Sequence, residues 1–204
     1  LDFFFIFVNE SQITVERWSY LDQNLFVFCS KDKIMLLKSV RGYIPSYGSN
    51  CFFAENATLI GDVILGDEVS VWYQAVVRGD VNSIRIGNKV NIQDGVVIHA
   101  TYETAATHIG NNVSIGHNAI VHGCALHDNV LVGMGSIVMD HCEIGSNSII
   151  AAGAVVTQNT IVPSGSIYAG VPARKIKDID PDLQQNEIER IAKNYILYAS
   201  WFKA

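Results

Sequence analysis

Aliphatic residues recur at every sixth position through most of this chain, and few folds accommodate such a period. Leu59, Leu65, Val71 and Val77 set the spacing, which resumes after a short insertion at Ile86, Ile92 and Ile98. A longer insertion, Ala100 to His108, precedes Ile109, Ile115 and Val121. After one shortened step the series runs through Leu126, Val132, Val138, Ile144, Ile150, Val156 and Val162. Small or β-branched residues stand four positions after most anchors, among them Val69, Ala75, Val113, Ala119, Ser136, Cys142 and Ala154, and glycine often follows the anchor directly. An amphipathic helix repeats at about 3.6 residues and a half-buried strand at about two, so neither produces this pattern. Each hexapeptide instead reads as a short strand and a corner, with the anchor and the small residue inward and glycine or polar residues in the turn. Three such sides close a triangular coil, and successive coils stack as parallel strands about 4.8 Å apart. The predicted fold class is all-β, a parallel β-helix over residues 35–176, whose hand the spacing alone does not set.

The segment Ala169-Gly170-Val171-Pro172-Ala173-Arg174-Lys175-Ile176 reads as the exit from the coils. In the remaining stretch, 177–204, Asp180 is placed to cap a helix with Pro181 at its first position. Ile188, Ile191, Tyr195, Ala199 and Phe202 fall near one face of that helix, which is expected to lie along the outside of the prism. Residues 1–34 are irregular by comparison and are expected to stand outside the fold, as a mis-called start or upstream translation ahead of Met35, with a partner-binding arm as the alternative. Their apolar run Phe3–Val8 is too short for a membrane span and has no basic flank of the kind a signal peptide carries. With 20 acidic against 14 basic residues, the chain carries a formal charge of −6, which argues against nucleic acid and anionic membranes as partners. Cys29, Cys51, Cys124 and Cys142 form no C-x-x-C pair, and a reducing cytoplasm is the expected compartment. Cys124 and Cys142 fall at matching inward positions on adjacent coils and are expected to be buried thiols.

Of the six histidines, the repeat frame singles out three. His99 follows the anchor Ile98 and His122 follows Val121, so both point outward. One full coil of three repeats separates them, which stacks them on the same face within reach of one metal ion. His117 lies two positions after Ile115, at or beside a corner, and points away from that face. A neighbouring prism would have to supply it, and three copies about a threefold axis would complete every site. Three neutral histidines with a free fourth position form the ligand set of a catalytic zinc; iron(II) or cobalt is compatible with it.

The hexapeptide pattern resembles the repeat of left-handed β-helix proteins, and the left hand is taken from that resemblance. From about Met35 to the C-terminal helix the chain resembles the γ-class carbonic anhydrases. The segments that carry the likeness are Val77-Arg78-Gly79-Asp80, Val90 to His99, and Ile115-Gly116-His117-Asn118-Ala119-Ile120-Val121-His122-Gly123-Cys124. The resemblance implies His99 and His122 on one subunit and His117 from the next, around zinc in a homotrimer. It also implies Arg78 paired with Asp80 or Asp94 near the subunit boundary, and Gln93 and Asn91 beside the reacting water. By their place in the repeat, Asn91, Asp80 and Asp94 are equally read as ordinary corner residues.

The implied reaction is reversible hydration of carbon dioxide to bicarbonate. In the family's best-characterised pattern a long acidic loop after the first ligand supplies a proton shuttle. Here the insertion Ala100–His108 is short, with Glu103 its only carboxylate, so weak activity is predicted. Glu103, His108 and Tyr195 are the candidates for proton transfer, Tyr195 because the resemblance places a tyrosine near the site. Two other readings stay open. One is a hexapeptide acyltransferase with an acyl-CoA donor, which would use a single unliganded histidine as base; the other is a non-catalytic trimeric scaffold glued by structural zinc.

Overall fold

The computed structural model describes residues 35–202, and before them only the backbone of the strands Asp2–Asn9, Gln12–Ser19 and Leu25–Val27. The expectation for residues 1–34 falls on residues whose side chains lie outside the described ones. From Leu36 onward the chain winds as a left-handed parallel β-helix with three flat faces. Phe53, Val71, Ile92, Ile115, Val132 and Ile150 stack in register behind the first face. Leu59, Val77, Ile98, Val121, Val138 and Val156 do so behind the second. Leu65, Ile86, Ile109, Leu126, Ile144 and Val162 do so behind the third. Apart from Phe53, which is partly buried and packs against them, these are the anchors of the six-residue period, and they form one continuous buried core. Two strands, Thr58–Leu65 and Val76–Ile86, run on through a corner and join the second and third faces into one sheet.

The corners explain the glycines and the asparagines. A Cβ on Gly87 would lie 2.7 Å from the carbonyl oxygen of Gly110 on the next coil, so no larger residue fits. Immediately beyond, side-chain oxygens accept backbone N–H groups from the coil before: Asn88 from Asp67 at 2.8 Å, Asn111 from Asn88 at 2.9 Å and Asp128 from Asn111 at 2.6 Å. Each coil thereby satisfies polar groups that the turn would leave bare. Cys124 and Cys142 are buried at stacked inward positions, and burial raises both thiols' pKa.

After an antiparallel closing strand, Arg174–Asp178, Asp180 accepts the N–H of Leu183 at 2.8 Å and starts the helix with Pro181 in its first turn. A π-helical stretch, Gln184–Glu189, then precedes the α-helix Arg190–Ser200. The wider turn shifts the inward face: Ile188, Ala192 and Ala199 are buried, while Ile191 and Tyr195 are only half-buried. Tyr195 meets Trp72 edge-on, with centroids 5.3 Å apart, and Phe202 reaches Phe52 and Trp72, so the helix covers the start of the first face. Among the described residues no helix is long and apolar enough to cross a membrane.

Truncating a stacked anchor removes contacts to the coils on either side. Ile144→Ala is expected to lower unfolding free energy by about 2–5 kcal/mol in urea titrations. The same change at Ile161, 69% exposed on the outside of the same face, is expected to stay within about 0.5 kcal/mol.

Candidate metal centre

Parallel pairing of Val97–His99 with Ile120–His122 puts His99 directly beside His122 on the outer side of the second face. Arg78 precedes them in the same outward column, next to the buried anchor Val77. His99 Nδ1 and His122 Nε2 face each other at 3.0 Å. The other nitrogen of each ring is taken by a carboxylate: His99 Nε2 donates to Asp80 Oδ1 at 3.0 Å, and His122 Nδ1 donates to Asp140 Oδ1. These partners assign the tautomers, with the proton on Nε2 of His99 and on Nδ1 of His122. The two facing nitrogens are then both bare lone pairs, an opposition that only a shared proton or a cation relieves. Two nitrogens about 2.0–2.1 Å from one tetrahedral ion would stand roughly 3.3 Å apart, so this pair fits the edge of a zinc coordination sphere.

Charge around the pair is arranged consistently. Asp80 Oδ2 accepts from Arg78 at 2.5 Å. Burial pushes the Asp80 carboxyl up, but its hydrogen bonds from Arg78 and His99 outweigh this and hold it below the usual carboxylate range. Asp140 is lowered in the same way, burial opposing and the bonds from Thr101 and His122 prevailing. His99 itself is shifted down, because burial and Arg78 together overcome the pull of Asp80. The contact is therefore a neutral imidazole donating to a carboxylate, which leaves His99 free to serve as a ligand.

His117 stands apart, at the corner between the first and second faces. Its Nδ1 pairs with Asp94 at 2.8 Å, and its Nε2 lies 3.5 Å from the Tyr195 hydroxyl on the C-terminal helix. Burial raises the Tyr195 pKa to about 12, with the Asp94 charge adding to the effect. Among the described residues, one chain brings together no group of three side chains able to hold a metal. Thus Arg78 pairs with Asp80 inside one chain, whereas Asp94 serves His117.

Asn91, read from the sequence as a corner residue, lies instead in the strand Asn91–Ile92, whereas Asp80 stands where the strand Val76–Ile86 passes from the second face to the third. Asn91 tolerates burial because its amide donates to Ser114 at 2.7 Å and its oxygen accepts from Gln93 at 3.0 Å. Glu103 stands exposed at the tip of the short loop, and His108 points outward on the third face, away from His99. His127 pairs with Glu143 at 2.9 Å, also on the third face. Sequence reasoning passed over Asp140 and Thr101. The available signal was that Asp140 stands two positions after Val138, the anchor stacked on Val121, and so lies one coil beyond Gly123, the neighbour of His122.

Comparisons with known proteins identify the fold and the family. Residues 123–158 match the family described as bacterial transferase hexapeptide (six repeats). A carbonic anhydrase of Geobacillus kaustophilus is 42% identical over 164 residues, 80% of this chain and 89% of that protein. A Methanocaldococcus jannaschii protein named "Probable carbonic anhydrase" is 50% identical over 149 residues, 73% of this chain and 91% of its own length. The crystal structure of a hexapeptide transferase family protein from Anaplasma phagocytophilum superposes with a TM-score of 0.77 at 39% identity, covering 85% of this chain and 99% of that one. An N-acyltransferase from Bacillus cereus, at 20% identity and a TM-score of 0.52 over 72% of this chain and 90% of its own, shares the fold alone.

The inferred tautomers can be read directly. In long-range nitrogen–proton NMR spectra of chelator-treated protein, His99 is expected as the Nε2–H form and His122 as the Nδ1–H form. Asp80→Ala should return His99 to a mixture while leaving His122 unchanged.

Proposed function

This chain belongs to the γ-carbonic anhydrase family of hexapeptide-repeat proteins, and from that premise we propose that it hydrates carbon dioxide reversibly to bicarbonate at a zinc site shared between subunits of a homotrimer. The observation that carries the reading is the opposed, bare nitrogen pair of His99 and His122, each ring held from behind by a carboxylate. His117 of a neighbouring copy is the third ligand in this reading. Its Nδ1 is already held by Asp94, which leaves Nε2 to reach outward past Tyr195. The face around His99 and His122 suits a second copy: Val97, Ile120 and Met139 stand exposed there, at 37%, 37% and 40%.

Zinc in such a site supplies Lewis-acid activation that brings the pKa of water to about 7; iron(II) and cobalt suit the same ligands. The chain's own part is to leave one position open, to orient the reacting water and to pass its proton away. Gln93 can orient the water through its side-chain oxygen, because its amide nitrogen is committed to Asn91. Export of the proton falls to the exposed Glu103 or to solvent, since His108 faces elsewhere. Turnover limited by that step follows, and the hydration rate should rise with imidazole buffer concentration. A cytoplasmic setting, with Cys124 and Cys142 as buried thiols, belongs to the same proposal. The acyltransferase alternative rests on transferase names borne by solved relatives and on likeness of fold, with no donor site among the residues described above.

The deciding experiment pairs metal analysis with stopped-flow carbon dioxide hydration. About one metal per subunit, with activity abolished by chelation and by His122→Ala, is the expected result. Metal bound without any hydration would leave the scaffold reading in its place.

A further inference from the structure

The insertion after His99 is too short to match an acidic shuttle loop, yet two of its three threonines, Thr101 and Thr107, grip both histidines of the candidate centre. At its far end Thr107, fully buried, donates its hydroxyl to the His99 carbonyl oxygen at 2.5 Å and accepts the Gly123 N–H at 2.9 Å. One side chain thus ties the backbone after His99 to the backbone after His122. At its near end Thr101 donates to Asp140 Oδ2 at 2.6 Å, and the other oxygen of that carboxylate receives His122 Nδ1. Thr101 is itself fixed: its N–H donates to Ala105 at 2.9 Å, and its carbonyl accepts from Asn82 at 3.1 Å. The path between is kept clear by Gly123, where a Cβ would lie 2.4 Å from Asp140 Oδ1 and 2.8 Å from the Ala105 side chain.

We propose that the loop Ala100–His108 is a positioning device for the metal ligands, in which Thr101 sets the rotation of Asp140 and Asp140 sets the ring of His122. The inference rests on the metal reading above and adds Thr101 and Asp140 to it as positioning residues. A carboxylate on an aspartate side chain rotates freely unless both oxygens are engaged. With Thr101 holding Oδ2, Oδ1 stays aimed at His122, the imidazole keeps its proton on Nδ1, and the bare Nε2 stays directed at the position opposite His99. Partners behind metal-binding histidines typically change metal affinity about 10- to 100-fold when removed.

The test is zinc affinity by competition with a chromogenic chelator, read beside the visible spectrum of the cobalt-substituted trimer. Thr101→Val, which keeps the shape and removes the hydroxyl, is expected to weaken zinc binding about tenfold and to shift the cobalt bands. Thr101→Ser should restore both, and Asp140→Ala should weaken binding at least as much as Thr101→Val. The melting temperature of the metal-free trimer serves as the control for packing and should barely move in Thr101→Ser. Should Thr101→Val fail to fold, Thr101→Ala reports the same loss of the hydroxyl. Zinc affinity within twofold of wild type in the folded variant overturns the positioning role alone. A loss that serine does not restore also overturns it, because the methyl group and not the hydroxyl would then be responsible. Wild-type protein that takes up no metal overturns the metal reading and this inference together.

Discussion

Everything in this molecule depends on the register of parallel strands from coil to coil. The aliphatic anchors stack on one another behind three faces, and each contact repeats the one below it, so burial and hydrogen bonding reinforce each other along the axis. A slip of one residue would turn an entire column of side chains from core to solvent. Small inward residues and glycine corners make the tight winding sterically allowed, and asparagine and aspartate oxygens close the turns. The histidine pair is a by-product of the same register. His99 stands beside His122 because Ile98 stands beside Val121.

A rigid scaffold of this kind places side chains on strands and not on mobile loops, which suits a centre whose ligands must hold a fixed separation. The outer positions on the second face carry Arg78, His99 and His122, and the carboxylates come from two directions, Asp80 from the coil before and Asp140 from the coil after. His99 and His122 are thereby oriented from opposite sides. The first face does the complementary work. Its outward column Ser70, Asn91 and Ser114 would be solvated in an uncovered prism, but here it is buried. Trp72 and Tyr195 meet where the helix packs, and the same tyrosine approaches His117.

Much of this was legible in the residues. The period gave the coil, the coil gave the direction of each side chain, and His99 and His122 followed as stacked outward neighbours. His117 likewise fell at a corner. The carboxylates were harder. The resemblance offers Arg78 either Asp80 or Asp94; Arg78 takes Asp80, while Asp94 holds His117. Spacing says which face a residue lies on; it does not say which of two nearby acids a guanidinium will reach.

The amino-acid sequence by itself determined the solenoid, its corners and the alignment of the histidine pair, because a period of six commits every anchor to the core and every following residue to the surface. Tertiary structure alone decided the rest. Asn91 could be buried because the partners Gln93 and Ser114 lie next to it in space. The π-helical turn rotated the inward face of the C-terminal helix, so that Ala192 is buried where Ile191 was expected. Asp140 meets His122 with one oxygen while Thr101, 39 residues away, holds the other. Such contacts join positions that no local pattern relates, and they exist only once the coils have stacked.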